Sequence, residues 1–134
     1  DRSRGLGDVY KRQAYQLMLG VLEKHPDVDV VVGLNEYSAV GAARAIVDKG
    51  LAGEISFVGF DSSLEEIKML EAGIFQGMVI QNPFKMGYLG VETAVKVLNG
   101  EKVPREIDSG SVLITRDNMY LDENQEMLYP FKGE

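Results

Sequence analysis

Apolar residues recur at helical spacing in several stretches of the chain. In the first stretch, AYQLMLGVLEKHP, they place Tyr15, Met18, Leu19 and Leu22 on one face, and Pro26 ends the run. This spacing predicts a helix that begins near residue 14. Further helices are predicted at about residues 37–49, 64–71 and 83–98, with a short one before Pro130.

Between the helical stretches lie short runs that are dense in valine, isoleucine and phenylalanine. The runs at residues 29–34, 55–60, 75–81 and 109–115 are too short for helices and are typical of strands. The first of them is apolar on both faces, as strands buried inside a parallel sheet are. Helices and strands alternate, with connections long enough for parallel crossovers. The predicted fold class is α/β, an open, mostly parallel sheet with flanking helices.

Two of the predicted helices carry boundary signals. Ser62 and Glu65 have the spacing of a capping box at the start of the third helix, and Gly73 follows its end. Pro83 opens the fourth helix, whose apolar face runs to Leu98.

Composition narrows the classes of function. The 134 residues, 45% hydrophobic and 26% charged, suit one soluble folded domain. A net charge of −7 has the wrong sign for holding a phosphate backbone, so nucleic acid is not expected as a partner. With no cysteine and a single histidine, His25, neither a metal site nor a cofactor is expected. No apolar run reaches the roughly 18 residues that a membrane span needs.

Residues 1–13 differ in character from the rest of the chain. They are polar and show no sustained helical or strand periodicity. The string DVYKRQ, at residues 8–13, resembles a translated transposon-adapter end of the kind used to fragment DNA for sequencing. We therefore predict that residues 1–13 are a non-native leader and that the remainder is part of a longer protein. The alternative is a basic arm that binds an acidic partner.

Three polar residues follow successive predicted strands. Asn35 comes after the first strand, Asp61 after the second, and Gln81 at the end of the third. Ligands of open α/β sheets bind outside the carboxyl ends of the strands, where these side chains are expected to converge. A carboxylate accepts from two hydroxyls and an amide both donates and accepts, a combination that suits a sugar or polyol. The pattern predicts a ligand site.

Each of these residues also has a simpler interpretation. Asn35 and Asp61 are favoured helix caps, so either can serve only to start the helix that follows it. Gln81 is harder to explain in this way, because glutamine is a poor cap. Glu36 and Tyr37 lie beside Asn35 and can contact the same ligand, or be a solvated acid and a packed ring.

Sequence motifs of enzymes are lacking. No G-x-G-x-x-G follows a predicted strand, and no G-x-x-x-x-G-K-[ST] occurs. His25 has no serine or carboxylate motif that would recruit it, so it is interpreted as a surface residue near a helix end. Asp61 resembles a phosphoacceptor in its position, but the accompanying acid pair and lysine are absent. The chain is predicted not to be an enzyme and to have no catalytic residues.

Four segments of the sequence together resemble a known family. They are VVVGLNEYSAVGAARAI, ISFVGFDSSLEEIKMLEAG, GMVIQNPFKMGYLGVETAVKVLNGE and VLITRDN, in this order and spacing. The chain resembles the C-terminal portion of type I periplasmic sugar-binding proteins, the ribose-binding-protein-like solute receptors of ABC transporters. In that family the matching asparagine, aspartate and glutamine contact the sugar, which implies ligand-binding roles for Asn35, Asp61 and Gln81. Glu36 stands where the family usually has aspartate.

The resemblance also implies a division into lobes. Residues 14–81 would belong to the C-terminal lobe of a two-lobed fold, residues 82–107 to the N-terminal lobe, and residues 108–134 would return to the C-terminal lobe. Most of the N-terminal lobe is then missing from this chain. The apolar face of the helix at residues 83–98 is accordingly expected to be exposed or packed in a non-native way.

The function implied by the resemblance is transport. The full-length parent would bind a monosaccharide or related polyol between its lobes and pass it to the permease subunits of an ABC importer. It would be periplasmic, or extracellular and membrane-anchored as a lipoprotein, with its signal segment outside this chain. One alternative is the effector-binding core of a lactose-repressor-type transcription regulator, which QNPFKMGYLG and ITRDN fit less well. Another, from the enzyme class, is a phosphotransfer or Rossmann-like domain.

Overall fold

The computed structural model of the protein describes residues 2–130, and the side chains from residue 5 onward. Five helices and four strands alternate over this range, which confirms the predicted order and the α/β class. They are α1 (Arg2–Lys24), β1 (Val30–Val32), α2 (Glu36–Asp48), β2 (Ser56–Phe60), α3 (Leu64–Glu71), β3 (Gly77–Gln81), α4 (Pro83–Leu98), β4 (Ser111–Ile114) and α5 (Asp122–Leu128).

The four strands form one sheet in the order β1-β2-β3-β4. β1 and β2 run parallel with Val32 opposite Val58, and β2 and β3 run parallel with Phe60 opposite Val79. The carboxyl ends of these three strands therefore lie at one edge of the sheet, as the sequence predicts for a parallel α/β fold.

The prediction that the first strand is buried is wrong. Val30 and Val32 are 61% and 54% exposed, whereas Val31 between them is half-buried. Alternate side chains of a strand point to opposite faces of the sheet, so one face of β1 is open. The reason is that no element of the described chain covers this face, since Ser56 of β2, which pairs with Val30, is exposed as well.

The first helix begins earlier than its apolar spacing predicts. α1 starts at Arg2 rather than near residue 14, and it packs on α2. At Gly41 of α2 the helices approach so closely that an added Cβ would lie 2.2 Å from the Lys11 carbonyl oxygen. Among residues 5–13 only Gly7 is buried and only Lys11 is half-buried, so this part of the helix has no apolar face to produce a periodic pattern.

The core of the sheet is built around two aromatic rings. Phe57 of β2 and Phe75, just before β3, stack with their ring centroids 4.7 Å apart and an angle of 9° between their planes. Gly59 makes room for this stack, since a Cβ there would lie 2.6 Å from the Phe75 ring. Ile46 of α2 and Leu70 of α3 are fully buried in the same unit.

The capping box at the start of α3 lies one residue later than predicted. Ser63, not Ser62, is the N-cap, and its hydroxyl accepts from the backbone N–H of Glu66. Glu66, not Glu65, completes the box. The S-x-x-E spacing fits both pairs, and burial of Glu66 selects the later one.

The described residues separate into two compact units. One runs to Ile80 and resumes at Leu113, and the other is Gln81–Val112. The second unit contains α4, which has no buried residue, and Leu98 at its end is 85% exposed. The expected exposure of the apolar face of α4 is confirmed, while the assignment of residues 14–81, 82–107 and 108–134 to lobes stays a prediction. Within the described part of the chain, no helix combines the length and apolarity that crossing a bilayer requires.

Candidate functional site

Asn35 stands at the start of α2, two residues beyond the Gly33 that follows β1. Its Oδ1 accepts from the Ser38 backbone N–H at 2.9 Å, and the Ser38 hydroxyl bonds back to the Asn35 backbone. The cap interpretation of Asn35 is therefore confirmed. Because the side-chain Oδ1 of Asn35 caps the helix, the amide Nδ2, with two N–H donors, is the part of the side chain suited to a ligand.

Gly33 fixes the position of Asn35. A Cβ at Gly33 would lie 2.5 Å from the Cα of Ala39, so only glycine lets the end of β1 pass this close to α2. The Gly33 N–H also donates to the Val58 carbonyl of β2 at 2.9 Å, continuing the parallel pairing beyond β1. The segment that leads to Asn35 is thus held by both the neighbouring strand and the following helix.

Asp61 follows β2 directly and does not cap α3, because Ser63 does. The cap interpretation of Asp61 is therefore wrong. Its φ of 74° lies in the left-handed region, where Asp61 is the one residue other than glycine among those described. Aspartate tolerates this conformation better than most residues, at a cost of order 1 kcal/mol. Its backbone N–H donates to the Val79 carbonyl of β3 at 2.9 Å, which holds the strained residue against the sheet.

Asn35 and Asp61 follow two neighbouring parallel strands. Val32 and Val58 pair at the carboxyl ends of β1 and β2, and Asn35 and Asp61 each come three residues later in the chain. The structure thus places these two predicted residues at the same edge of the sheet, at the carboxyl ends of β1 and β2.

Gln81 is the last residue of β3 and the first residue of the second unit. It is half-buried, and it leaves the capping of α4 to Asn82, whose Oδ1 accepts from the Lys85 N–H at 2.9 Å. Helix capping therefore does not explain the glutamine, as the sequence indicates.

The acids next to the strand ends are paired with cations. Lys11 Nζ lies 3.7 Å from Glu36 and 3.1 Å from Glu65, and Arg44 Nε donates to Glu65 at 2.8 Å. Burial opposes ionisation of Glu65, but the hydrogen bonds and charges of Arg44 and Lys11 outweigh it and hold the pKa of Glu65 below its usual value. Tyr37 is neither fully packed nor isolated, since its ring lies 6.1 Å from that of Tyr10.

Sequence reasoning missed Glu66, which is fully buried close to the Asp61 turn. Its Oε2 accepts from the Ser63 N–H at 2.9 Å and from the Ser63 hydroxyl at 3.1 Å. Burial raises the pKa of Glu66, the hydrogen bonds from Ser63 oppose the rise, and the negative charges of Glu36 and Asp61 add to it, which brings the pKa to about 7. The S-x-x-E spacing from Ser63 was the signal that could have found it.

The described residues include no group of three or more histidine, cysteine, aspartate or glutamate side chains placed to hold a metal ion. What the strand ends offer is a carboxylate and amides, which form hydrogen bonds with a neutral polar molecule. Residues 8–102 match the family model described as the periplasmic binding protein domain.

The chain belongs to the periplasmic binding protein family. This confirms the family and the fold that the four sequence segments indicate. The ribose import binding protein RbsB of Salmonella typhimurium is 38% identical over 103 residues, which cover 77% of this chain and 31% of that protein. This periplasmic binding protein chain spans about a third of the length of the curated relatives it matches.

Solved structures of periplasmic binding proteins share the fold. An ABC transporter solute-binding protein from Agrobacterium vitis with bound D-fucose is 34% identical, with a TM-score of 0.79 over 89% of this chain and 41% of that chain. A sugar transporter from Clostridium phytofermentans is 51% identical, with a TM-score of 0.66 over 80% of this chain and 38% of that chain. These relatives are named for binding or transporting sugars.

Proposed function

We propose that the chain is part of the sugar-binding component of an ABC-type importer, which binds a monosaccharide or related polyol without chemical change. The observation that carries the proposal is the placement of Asn35 and Asp61 just beyond the carboxyl ends of the adjacent parallel strands β1 and β2. The sugar ligands and transport names of the relatives support it over a lactose-repressor-type regulator.

We infer a division of labour among the three strand-end residues. The Asp61 carboxylate accepts hydrogen bonds from neighbouring hydroxyls of the ligand, and a charged acceptor makes these bonds stronger than neutral ones. The Asn35 amide donates to a ring or hydroxyl oxygen. Gln81 is the third ligand-binding residue, in the role that the family resemblance implies.

We propose that the parent protein works in two lobes outside the cytoplasm. Residues 14–81 and 108–134 belong to one lobe and residues 82–107 to the other, with the sugar between them. Its partners are the sugar and the permease subunits of the importer, and it is periplasmic or anchored to the membrane as a lipoprotein. Residues 1–13 are a non-native leader. Sequencing the source DNA across the codon of Gln13 tests the leader, because a native upstream sequence there should not encode DVYKRQ.

Ligand-induced thermal stabilisation of the full-length parent tests the function. A ligand that binds only the folded state raises the melting temperature, by an amount that grows with its concentration. We expect a clear rise for one member of a panel of pentoses, hexoses and polyols. Asp61→Asn should remove most of that rise, because the amide keeps the left-handed backbone and loses the charged acceptor.

The matched control is Asp27→Asn. Asp27 is an exposed turn residue before β1, at the opposite end of the strand from the proposed site, so the rise should be unchanged. Full stabilisation of Asp61→Asn by the same sugar would contradict the assignment. If no sugar stabilises a cooperatively folding parent and its gene encodes a helix-turn-helix upstream, the regulator is the correct interpretation.

A further inference from the structure

Glu66 is the one fully buried acid among the described residues. The other buried polar side chain, Asn124, is a neutral amide that donates to the Asn118 carbonyl at 2.9 Å. Glu66 has one oxygen, Oε2, bonded twice to Ser63, while Oε1 is buried and has no hydrogen-bond partner in the described part of the chain. A charged carboxylate in this state is costly, because half of it is neither hydrated nor hydrogen-bonded.

The charges around Glu66 add to this cost. Glu36 at the start of α2 and Asp61 at the end of β2 both act on it as like charges. Among the residues whose side chains the structure describes, Lys11 pairs with Glu36 and Glu65, and Arg44 pairs with Glu65. Burial and these two acids together bring the pKa of Glu66 to about 7. In the neutral form the proton resides on Oε1, since Oε2 already accepts two hydrogen bonds.

The bonds that Glu66 makes hold the turn after β2. Ser63 is fixed to Glu66 through both its backbone N–H and its hydroxyl. Asp61, two residues earlier, is held in the left-handed region by its own N–H bond to Val79. The turn at residues 61–63 is thus clamped at one end by the bond from Asp61 to β3 and at the other by the bonds between Ser63 and Glu66. Such strain persists only where the surroundings over-determine it.

We propose that the neutral carboxyl of Glu66 is a positioning group that keeps Asp61 aimed at the ligand, and that its ionisation loosens the turn at residues 61–63. An ionised Glu66 lowers its free energy by moving into water, which breaks its bonds to Ser63 and releases the clamp. The inference rests on the proposed function only in that Asp61 is taken to bind the sugar. Protonation of Glu66 therefore makes ligand binding stronger at mildly acidic pH than at alkaline pH.

Nuclear magnetic resonance of this chain tests the clamp without any sugar. The Glu66 side-chain carboxyl carbon and the Asp61 backbone amide should titrate together, with a common midpoint at about pH 7. In Glu66→Gln the transition at the Asp61 amide should vanish, with its signal staying at the low-pH position. Glutamine reproduces the neutral acid, because its oxygen accepts from Ser63 and its amide nitrogen occupies the place of the protonated Oε1.

Glu65→Gln is the matched control. It is the same change one residue away, on a side chain paired with Lys11 and Arg44, and it should leave the midpoint at the Asp61 amide in place. The proposal is overturned if the Asp61 amide shows no transition between about pH 5 and pH 9, or if the transition survives in Glu66→Gln.

Binding of D-ribose to the full-length parent extends the test to the ligand. The affinity should fall about tenfold between pH 5.5 and pH 8.5 in the parent and stay constant in Glu66→Gln. An equal fall in both proteins would also overturn the proposal. Failure to bind D-ribose at any pH counts against that sugar as the ligand, and the titration of the Asp61 amide then decides the role of Glu66 by itself.

Discussion

At the residue scale, a side chain of the proposed site also stabilises the local structure. Asn35 illustrates this most clearly, because its Oδ1 caps α2 while its Nδ2 is proposed to donate to the sugar. The two roles use different atoms of one amide, so they do not compete. Asp61 differs from Asn35, because its backbone adopts the left-handed conformation while its side chain is proposed to bind the sugar.

These two roles of Asn35 can be separated by substitution. Asn35→Ala should lower the free energy of unfolding by about 1 kcal/mol, the usual value of a lost N-cap. Asn35→Ser keeps a capping oxygen, so stability should change by only a few tenths of a kcal/mol. Urea unfolding of this chain measures both values. In the full-length parent both variants should bind the sugar more weakly, and unchanged affinity in Asn35→Ser would assign Asn35 to the cap alone.

At the scale of the elements, the position of the site depends on close contact between β1 and α2. Gly33 is the residue at which this contact is tightest, with no space for a side chain beside Ala39. α2 therefore begins directly above the end of its own strand, and its first turn shares the sheet edge with Asp61. A displaced α2 would carry Asn35 away from that edge.

Gly33→Ala is expected to destabilise the chain by roughly 1–3 kcal/mol, because a methyl group there collides with backbone that cannot yield without moving α2. Gly20→Ala is a matched control in the middle of α1, where an added Cβ meets nothing within 4 Å. It should stabilise the helix by about 0.5–1 kcal/mol. Thermal and urea unfolding of both variants provide the measurement, and a neutral Gly33→Ala would show that α2 is not held as tightly as the structure indicates.

At the scale of the whole molecule, two neighbouring glutamates give stability opposite dependences on pH. Glu66 has a raised pKa, so the folded chain retains its proton where the unfolded chain has lost it. Its contribution is complete below about pH 4.5 and is lost as the pH rises to about 7. Glu65 has a lowered pKa, so its contribution is present above its usual value of 4.5 and is lost as the pH falls through the lowered value.

The free energy of unfolding should therefore fall between about pH 4.5 and pH 7, by an amount on the order of 3 kcal/mol from Glu66. Urea unfolding at a series of pH values measures this slope. Glu66→Gln should flatten it, and Glu65→Gln should instead reduce the loss of stability on the acid side. An equally steep fall in Glu66→Gln would mean that another group is responsible.

Local pattern in the sequence determined much of this molecule. The alternation of elements, the bounds of α4 and the position of Asn35, Asp61 and Gln81 at strand ends follow from period, proline and cap residues that act within a few positions. Four short segments also indicated the family. Each contains the end of a strand and the residues that follow it, so its pattern is local to the chain.

Tertiary structure alone decided the rest. The exposed face of β1 depends on which elements pack against it, which no property of its valines specifies. The choice of Ser63 and Glu66 as the capping pair, and the left-handed Asp61 beside it, depend on which glutamate the packed core encloses and on a bond to β3. Periodicity shows which residues can be buried together, whereas strand order and packing determine which of them are, because burial is a property of neighbours distant in sequence.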